Sequence, residues 1–248
     1  MMGQLWLLIL VLDVSLLQQN KEIKMRIQVL GVGQAFSPEI GNSSIILWDD
    51  DRGFLIDCGY TVYPILKQKK LIDRIDKVFI THNHDDHIGS LASLFYHKRF
   101  VLNQKIKFFG ISDHMNYLKA IDPNFDFEKQ AKDYFILDEE SIQTIPVNHS
   151  EGVPAEAFYN YGVLFSGDTS ESLLETPEAR TAKIILHEVS FADVPVHAYF
   201  NKLANAPVEV KAKTWLYHYG VGENKIYESR VRNHGFAGML VQDQTITL

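Results

Sequence analysis

The chain has 248 residues, of which 46% are hydrophobic and 22% charged, and its formal net charge at pH 7 is -7. This length and apolar content suffice for a sizeable core, and we expect one large α/β domain rather than two small ones. The negative charge balance argues against long nucleic acid as a partner, because that partner requires many Lys and Arg residues to displace its counterions. A small anionic substrate stays open, since bound metal ions can supply positive charge locally.

The single cysteine, Cys58, cannot form an internal disulfide, which favours a reducing compartment and predicts a cytoplasmic protein. The apolar run from Leu5 to Leu12 is too short to span a bilayer and lacks the basic start of a secretory signal. It is either a weak signal or anchor, or part of an upstream extension. We favour an extension over residues 1–24 and a globular domain over 25–248, because Met25 leads directly into an apolar strand. No stable membrane association is expected.

The first half of the sequence predicts alternating strands and helices. A turn at 49–53 joins two strands into a hairpin, since clustered acids and Gly53 suit turn geometry. Asp57, near the end of the second strand, is either a strand cap or an acceptor that orients a ligand histidine. The predicted elements are strands over 26–30, 45–48, 54–59 and 78–80, helices over 61–74 and 88–99, and a segment from Val101 to Leu137 that mixes short strands with a helix around His114 to Ala120.

Five predicted strands are each followed by side chains that can bind metal. Because functional residues of layered α/β folds commonly lie on loops at one edge of the sheets, we expect these side chains to share one rim. The runs are Val78 to Ile80 before the Thr81-His82-Asn83-His84-Asp85-Asp86-His87 cluster, 142–147 before His149, 163–165 before Asp168, 184–186 before His187 and Glu188, and 214–217 before His218.

The histidine cluster predicts a metal centre. Buried imidazoles and carboxylates need compensation that a bound cation provides. His82 and His84 are two residues apart, so in an extended segment both point to the same side and can share one metal. Asp86 and His87 lie where the chain turns and could face a second metal. Each metal needs three or more protein ligands, so His149, Asp168 and His218 would complete the set.

The segment THNHDDHIG resembles the His-x-His-x-Asp-His motif of the metallo-β-lactamase fold, a four-layer αββα sandwich with a dimetal centre at its sheet edges. The resemblance implies that His82, His84 and His149 bind the first metal, that Asp86, His87 and His218 bind the second, and that Asp168 bridges them. Two zinc ions are the default for a site rich in imidazole, with Mn²⁺ or Fe²⁺ as alternatives. Two such ions support phosphoester hydrolysis.

At the position of Asp168, β-lactamases have a cysteine ligand. A bridging aspartate there resembles the ligand set of the phosphodiesterase branches of this fold. The sequence from His187 through Glu188 to Phe191 is similar to the His-Glu-Ala-Thr-Phe box of the RNase Z branch, and His197 lies where that branch has another active-site histidine. The resemblance implies catalytic roles for His187, Glu188 and His197 beside Asp86. An ordinary strand-end salt bridge is the other interpretation of His187 and Glu188.

Only eighteen residues, 150–167, separate His149 from Asp168, and a loop and a strand would use them up. Members of the branch that process transfer RNA have a long exosite arm at this place, and eighteen residues leave no room for one. The missing arm favours a small phosphodiester as the substrate. Two armless groups fit: cyclic ribose-phosphate phosphodiesterases of phosphonate metabolism, and phage-type anti-Pycsar phosphodiesterases, which share the LGVGQAF opening. We favour the second, which implies hydrolysis of 3′,5′-cyclic nucleotides, including cCMP and cUMP, in a host cytoplasm. An RNase Z-like endoribonuclease and a nucleotide-sequestering binding protein are the alternatives.

Two residues near the metal ligands would assist hydrolysis of the phosphodiester. We expect Asp86 also to accept a proton from the nucleophile, and His197 to steady a phosphate oxygen or to protonate the leaving group.

Other residues near the motifs allow two interpretations. Asn42 to Ser44 could donate hydrogen bonds to phosphate or simply form a turn. The resemblance also implies a homodimer, in which the 101–137 segment would reach the partner's site. The aromatic residues that could stack on a base or pack in the core are Phe191, Tyr199, Phe200, Tyr217 and Tyr219.

Overall fold

The computed structural model describes residues 25–121, 136–137 and 140–248. The predicted extension over 1–24 lies outside the described residues, and so does much of the segment from Val101 to Leu137. Two six-stranded sheets form the body of the domain, and helices cover them in an α/β arrangement. This architecture confirms the predicted αββα class.

The first sheet is mixed, with the order β14-β1-β2-β3-β4-β5. Strands β1 to β3 form an antiparallel meander, whereas β3, β4 and β5 run parallel because helices connect them. The turn predicted at 49–53 is confirmed, since Asp49 pairs with Arg52 across it. The strands are β1 (Arg26–Gly31), β2 (Ser44–Asp49), β3 (Arg52–Ile56), β4 (Ile75–Phe79), β5 (Lys107–Phe109) and β14 (Thr245–Thr247).

The second sheet carries the later predicted strands, in the order β13-β12-β11-β10-β9-β8. Strands β10 to β13 run parallel, so their carboxyl ends meet at one edge of the sheet. A separate two-stranded ribbon pairs β6 (Ile136–Leu137) with β7 (Glu140–Ser141). The strands of the second sheet are β8 (Gln143–Val147), β9 (Ala155–Asn160), β10 (Val163–Phe165), β11 (Ile184–Glu188), β12 (Thr214–Tyr217) and β13 (Gly238–Met239).

The helices are shorter than the sequence predicted. The helix expected over 61–74 stops at Gln68, because Lys70 adopts a positive φ of 56° and ends it. The helix expected over 88–99 is divided, since Gly89 and Ser90 separate two helical pieces. The α-helices are Val62–Gln68, Asp85–Ile88, Leu91–Tyr96, Ser112–Ile121, Pro177–Thr181, Phe200–Leu203, Val208–Lys211 and Glu223–Asn233, with a π-helix over His97–Val101 and 3₁₀ turns over Pro38–Ile40 and Ile72–Arg74.

The main core lies between the two sheets. Phe158 from the second sheet contacts Phe54 and Phe79 from the first, with ring centroids 5.4 Å apart in both pairs. A second cluster, including Trp48 and Leu66, fills the layer between the first sheet and its helices. Apolar side chains on both faces of a central strand explain why the strand sequences are nearly continuous hydrophobic runs. None of the described helices has the length and apolar character needed to cross a bilayer.

Two details differ from the sequence prediction near the site. The residues between His149 and Asp168 form a hairpin of two strands, β9 and β10, rather than a loop and one strand. The prediction missed β9 because the turn at Tyr161 and Gly162 depends on two positive φ angles. The hairpin still leaves no room for an arm. His187 and Glu188 also lie inside β11 rather than after it.

Candidate metal centre

The histidine motif follows β4 directly and changes backbone conformation in its middle. His84 is extended, with ψ of 148°, and the helix Asp85–Ile88 begins immediately after it. His84 therefore lies on extended backbone, while Asp86 and His87 lie on a helical turn. This arrangement lets one short segment contribute side chains to two neighbouring clusters, as the spacing predicted.

The first cluster consists of three imidazoles. The Nδ1 atom of His84 lies 3.0 Å from Nε2 of His82 and 3.0 Å from Nε2 of His149. Hydrogen bonds cannot satisfy both contacts, because the Nδ1 atom of His84 has either one proton to donate or one lone pair to accept with. A single cation bound by all three nitrogens, at the Zn–N distances of about 2.0–2.1 Å typical of proteins, would satisfy them together.

The second cluster combines carboxylates and imidazoles on buried atoms. Asp168 Oδ1 lies 3.2 Å from His87 Nε2, and Asp168 Oδ2 lies 3.2 Å from His218 Nε2. Asp86 Oδ2 is 3.4 Å from the same His87 nitrogen. Within the described part of the chain, His87 Nε2 and Asp168 Oδ1 are buried without a hydrogen-bond partner. Unpaired buried polar atoms are costly, and a shared cation would compensate both.

Asp168 lies between the two clusters. Besides its contacts in the second cluster, its Oδ2 atom is 3.8 Å from Nε2 of His149 in the first. The seven ligand-type side chains thus form two adjoining groups, which are compatible with two metal ions and a carboxylate between them. The metal-ligand assignment carried over from the resemblance stays a prediction, and the geometry agrees with its grouping.

Four of the histidines are oriented by hydrogen bonds at Nδ1, the ring nitrogen that points away from the clusters. His87 donates to Asp57 at 2.7 Å, and His149 donates to the carbonyl of Val196 at 2.7 Å. The Nδ1 atoms of His82 and His218 contact the hydroxyls of Thr81 and Ser43, each at 3.1 Å. Because both hydroxyls donate their own protons elsewhere, they accept from these rings. All four Nε2 atoms consequently face the clusters, in the orientation that a metal-binding histidine takes.

The electrostatics also match a cation site. Burial and the neighbouring His87 lower the pKa of His82, and burial lowers the pKa of His218 to about 4. Burial alone would raise the pKa of Asp168, but the nearby His218 and His87 side chains lower it well below its ordinary value. His87 differs, because the carboxylates of Asp168, Asp86 and Asp57 outweigh burial and raise its pKa well above the ordinary value. A cation bound there would replace the proton of His87, since metal binding releases protons from its ligands.

Asp57 orients His87 rather than merely ending a strand. Its carboxylate accepts the Nδ1 proton of His87 and two further hydrogen bonds, from the backbone and the hydroxyl of Thr81, at 2.8 and 2.9 Å. The side chain is fully buried, and its backbone φ is 62°. Of the two interpretations left open by the sequence, the structure supports the acceptor.

Replacing Asp57 by asparagine tests this role, because asparagine tolerates the left-handed backbone and keeps the side-chain shape. We expect Zn²⁺ affinity to fall about 10–100-fold, since His87 loses the carboxylate that orients it. Competition with a chromophoric chelator measures the affinity. Asp76→Asn, at a partly exposed carboxylate paired with Arg52, is the control. Unchanged Zn²⁺ affinity in Asp57→Asn would contradict the role.

The run from Asn42 to Ser44 is part of the scaffold of the site. Asn42 exchanges two hydrogen bonds with Thr61, at 2.7 and 2.9 Å. Ser43 contacts His218, and Ser44 donates to the backbone carbonyl of Asp57 at 2.8 Å. All three are buried, and the Ser43 and Ser44 hydroxyls donate to backbone carbonyls. Of the two interpretations left open by the sequence, the role as phosphate donors therefore fails for these two hydroxyls.

His197 lies beside the two clusters and contacts the buried carboxylate of Glu188. Its Nδ1 atom is 3.1 Å from Oε2 of Glu188 and 3.9 Å from Oδ2 of Asp168. Burial raises the pKa of Glu188 to about 7. Burial alone would lower the pKa of His197, but its hydrogen bond and charge interaction with Glu188 outweigh burial and raise it. With Nδ1 held by Glu188, Nε2 is the ring nitrogen of His197 left for a substrate.

His187 is placed differently from the other predicted catalytic residues. Its Nδ1 atom donates to the carbonyl of Glu188 at 2.7 Å, and its Nε2 atom accepts from the backbone N–H of Leu173 at 3.1 Å. Both ring nitrogens are thereby engaged by backbone. Neither ring nitrogen is left to reach a reacting atom, so the prediction that His187 is catalytic is wrong. His187 instead holds the loop at Leu173 in place. The alternative of a salt bridge with Glu188 also fails, because the contact is to the backbone.

Most of the aromatic residues near the motifs belong to the core. Phe200, Tyr217 and Tyr219 are buried, and half-buried Phe191 stacks on Tyr227 with ring centroids 3.8 Å apart. Packing is therefore the interpretation that the structure supports for these four. Tyr199 is half-buried, and its hydroxyl accepts a hydrogen bond from Asn201.

Sequence reasoning missed the partners of His149 and His218. The carbonyl of Val196 carries no signal in the sequence, because every residue has one. Ser43 was considered, but 175 residues separate it from His218, and no spacing rule joins them. The contact of Thr81 with His82 was also missed, although the two residues are neighbours in the sequence.

Comparison with solved structures shows which fold the chain has. The crystal structure of the metallo-beta-lactamase fold protein YhfI from Bacillus subtilis matches with a TM-score of 0.68 at 18% identity, covering 91% of this chain and all of that one. The chain therefore has the metallo-β-lactamase fold, and its paired ligand clusters form a candidate site for two metal ions.

The sequence model of the Anti-Pycsar protein Apyc1 family matches residues 25–246, and the chain belongs to that family. The Anti-Pycsar protein Apyc1 of Paenibacillus sp. (strain J14) is 29% identical over 219 residues, covering 79% of this chain and 89% of the relative. That of Bacillus phage BSP38 is 28% identical over 232 residues, with the same coverage. The predicted enzyme class, a metal-dependent phosphodiesterase, is confirmed.

Proposed function

We propose that this phosphodiesterase hydrolyses 3′,5′-cyclic nucleotides, including cCMP and cUMP, to nucleoside 5′-monophosphates, and thereby opposes cyclic-nucleotide signalling against phages. The observation that carries the proposal is the pair of adjoining ligand clusters, with Asp168 of the second cluster 3.8 Å from His149 of the first. The names of the relatives support the setting, and the short β9–β10 hairpin supports a small substrate.

The residues present fit two metal ions. His82, His84 and His149 would hold one ion, Asp86, His87 and His218 the other, and Asp168 would contact both. Zinc suits four or more imidazole ligands, with Mn²⁺ or Fe²⁺ as alternatives. When bound, the two ions polarise the phosphoryl oxygens and activate water.

The side chains of this chain would then move the protons. Hydrolysis adds a water oxygen to phosphorus and breaks the bond from phosphorus to the 3′ oxygen. Asp86 accepts a proton from the attacking water. His197, held at Nδ1 by Glu188, protonates the departing 3′ oxygen from Nε2, and Glu188 maintains the orientation of that ring.

A panel of substrates tests the proposal. Protein of known metal content, incubated with the 3′,5′-cyclic forms of UMP, CMP, AMP and GMP, is expected to release the 5′-monophosphates over many turnovers, as separated by chromatography. Stoichiometric retention of intact cyclic nucleotide would instead indicate a sequestering protein. Faster turnover of a 1,2-cyclic ribose phosphate or of precursor transfer RNA, run in parallel, would replace the preferred substrate by the other one.

A further inference from the structure

The hydroxyl of Tyr217 lies against the backbone beside Asp168. Tyr217 ends β12 immediately before His218, and its side chain is fully buried. The hydroxyl donates to the carbonyl of Gly167 at 3.1 Å and lies 3.2 Å from the hydroxyl of Ser166. Its ring stacks on Phe165, with centroids 4.7 Å apart and planes inclined by 21°. The hydroxyl is therefore held rigidly against the peptide that precedes Asp168.

Ser166 completes this contact. Its hydroxyl donates to the same Gly167 carbonyl at 2.7 Å and accepts from the backbone N–H of Glu188 at 2.9 Å. The two lone pairs of the Gly167 carbonyl are thus both used. A carbonyl with two donors cannot rotate without breaking hydrogen bonds, which is costly because Ser166 and Tyr217 are buried.

Gly167 has no freedom to adopt another arrangement. Its φ is 59°, and a side chain there would approach Cβ of Thr81 to 2.9 Å. Only glycine fits this left-handed turn beside the histidine motif. The peptide between Gly167 and Asp168 is consequently defined by its conformation and by the two hydroxyls.

The peptide on the other side of Asp168 is held as well. The N–H of Thr169 donates to Oε1 of Glu188 at 2.6 Å. We propose that Tyr217 and Ser166 are positioning residues, which fix the Gly167 carbonyl so that the Asp168 carboxylate stays between the two ligand clusters. Strand β12 would then serve the site twice, through the imidazole of His218 and through the hydroxyl of Tyr217.

This inference rests on the proposed metal centre and concerns its affinity. Groups that orient metal ligands typically contribute 10–100-fold to metal binding. Loss of the Tyr217 hydroxyl is expected to weaken Zn²⁺ binding about tenfold, because Asp168 contacts both clusters and its movement would affect the two ions together.

Tyr219 provides a matched control within the same segment. It too is a buried tyrosine whose hydroxyl donates to a backbone carbonyl, that of Leu240. Leu240 follows β13 and contributes no ligand-type side chain. Tyr217→Phe and Tyr219→Phe therefore each remove one buried hydroxyl from a backbone carbonyl, and only the first touches the peptide of Asp168.

The experiment measures Zn²⁺ binding by competition with a chromophoric chelator, and thermal unfolding of each metal-free protein. Wild-type protein is expected to bind two equivalents of Zn²⁺. Tyr217→Phe should bind Zn²⁺ about tenfold more weakly, Ser166→Ala should also bind it more weakly, and Tyr219→Phe should stay within twofold of wild type. The metal-free midpoints of the two tyrosine variants should fall by similar amounts.

The outcomes separate the inference from the metal centre on which it rests. If wild-type protein binds no Zn²⁺, the metal centre fails and the positioning role fails with it. If wild type binds two equivalents but Tyr217→Phe and Ser166→Ala bind equally well, only the positioning role is overturned. Equal weakening in Tyr219→Phe would also overturn it, because a general loss of core stability would then explain the effect.

Discussion

Replacing Asp168 by alanine is expected to lower the rate of cyclic-nucleotide hydrolysis by about 10³-fold or more and to reduce bound zinc. A metal ion supplies several kcal/mol of transition-state stabilisation, and each ~1.4 kcal/mol corresponds to a tenfold change in rate. Asp168 is the side chain that approaches both clusters, with oxygens 3.2 Å from His87 and His218 and 3.8 Å from His149. Its removal should therefore affect both ions rather than one.

Zinc analysis after dialysis, together with initial rates on 3′,5′-cyclic UMP, measures this effect. Asp85→Asn is the control, because Asp85 lies in the same histidine motif but is exposed and belongs to neither ligand cluster. We expect the control to keep two zinc ions and most of its activity. A fully active Asp168→Ala enzyme with two bound zinc ions would exclude Asp168 as a shared ligand.

Replacing His197 by alanine is expected to lower kcat on cyclic nucleotides by about 10²–10⁴-fold, the usual contribution of a general acid. Zinc content should not change, because the proposed ligand set is complete without His197. The contacts with Glu188 raise the pKa of His197, so it keeps its proton to a pH above the ordinary histidine value of 6.5. Because the protonated form is the active one, kcat should fall as pH rises through this raised pKa.

A substrate with a better leaving group isolates the role of His197. In bis(p-nitrophenyl) phosphate the departing phenolate leaves without protonation, so His197→Ala should lose far less activity on it than on 3′,5′-cyclic UMP. The basic limb of the pH profile should also disappear in the variant. His234→Ala is the control, at an exposed histidine that donates to the carbonyl of Arg230. Equal losses on both substrates would assign His197 to substrate binding instead.

The grouping of the seven candidate ligands was predictable from the sequence because each member either lies in one short motif or follows an apolar run. His82, His84, Asp86 and His87 are neighbours, so the change from extended to helical backbone decides which cluster each one joins. His149, Asp168 and His218 follow β8, β10 and β12, all of which lie in the second sheet. Strand ends that share an edge bring distant residues together without any signal beyond the strands themselves.

The supporting contacts were less predictable. Asp57 could be singled out as a candidate acceptor, but nothing local identified His87 as its partner 30 residues later. His187 shows the opposite error, since a family motif suggested a catalytic group where the backbone uses both ring nitrogens. Helix boundaries also differed, because Lys70 and the Gly89-Ser90 pair adopt conformations that the apolar pattern does not reveal.

The sequence by itself determined the candidate ligands and their order along the chain, because apolar runs and short-range spacing are properties of the chain alone. It determined the fold class through the resemblance of the THNHDDHIG segment to the metallo-β-lactamase motif. The absence of an arm between His149 and Asp168 was equally a matter of counting residues. Only the tertiary structure decided which nitrogen of each histidine faces the clusters. That choice depends on hydrogen bonds to Asp57, Thr81, Ser43 and the Val196 carbonyl. Most of these contacts join segments far apart in sequence, and they exist only once the two sheets have packed together.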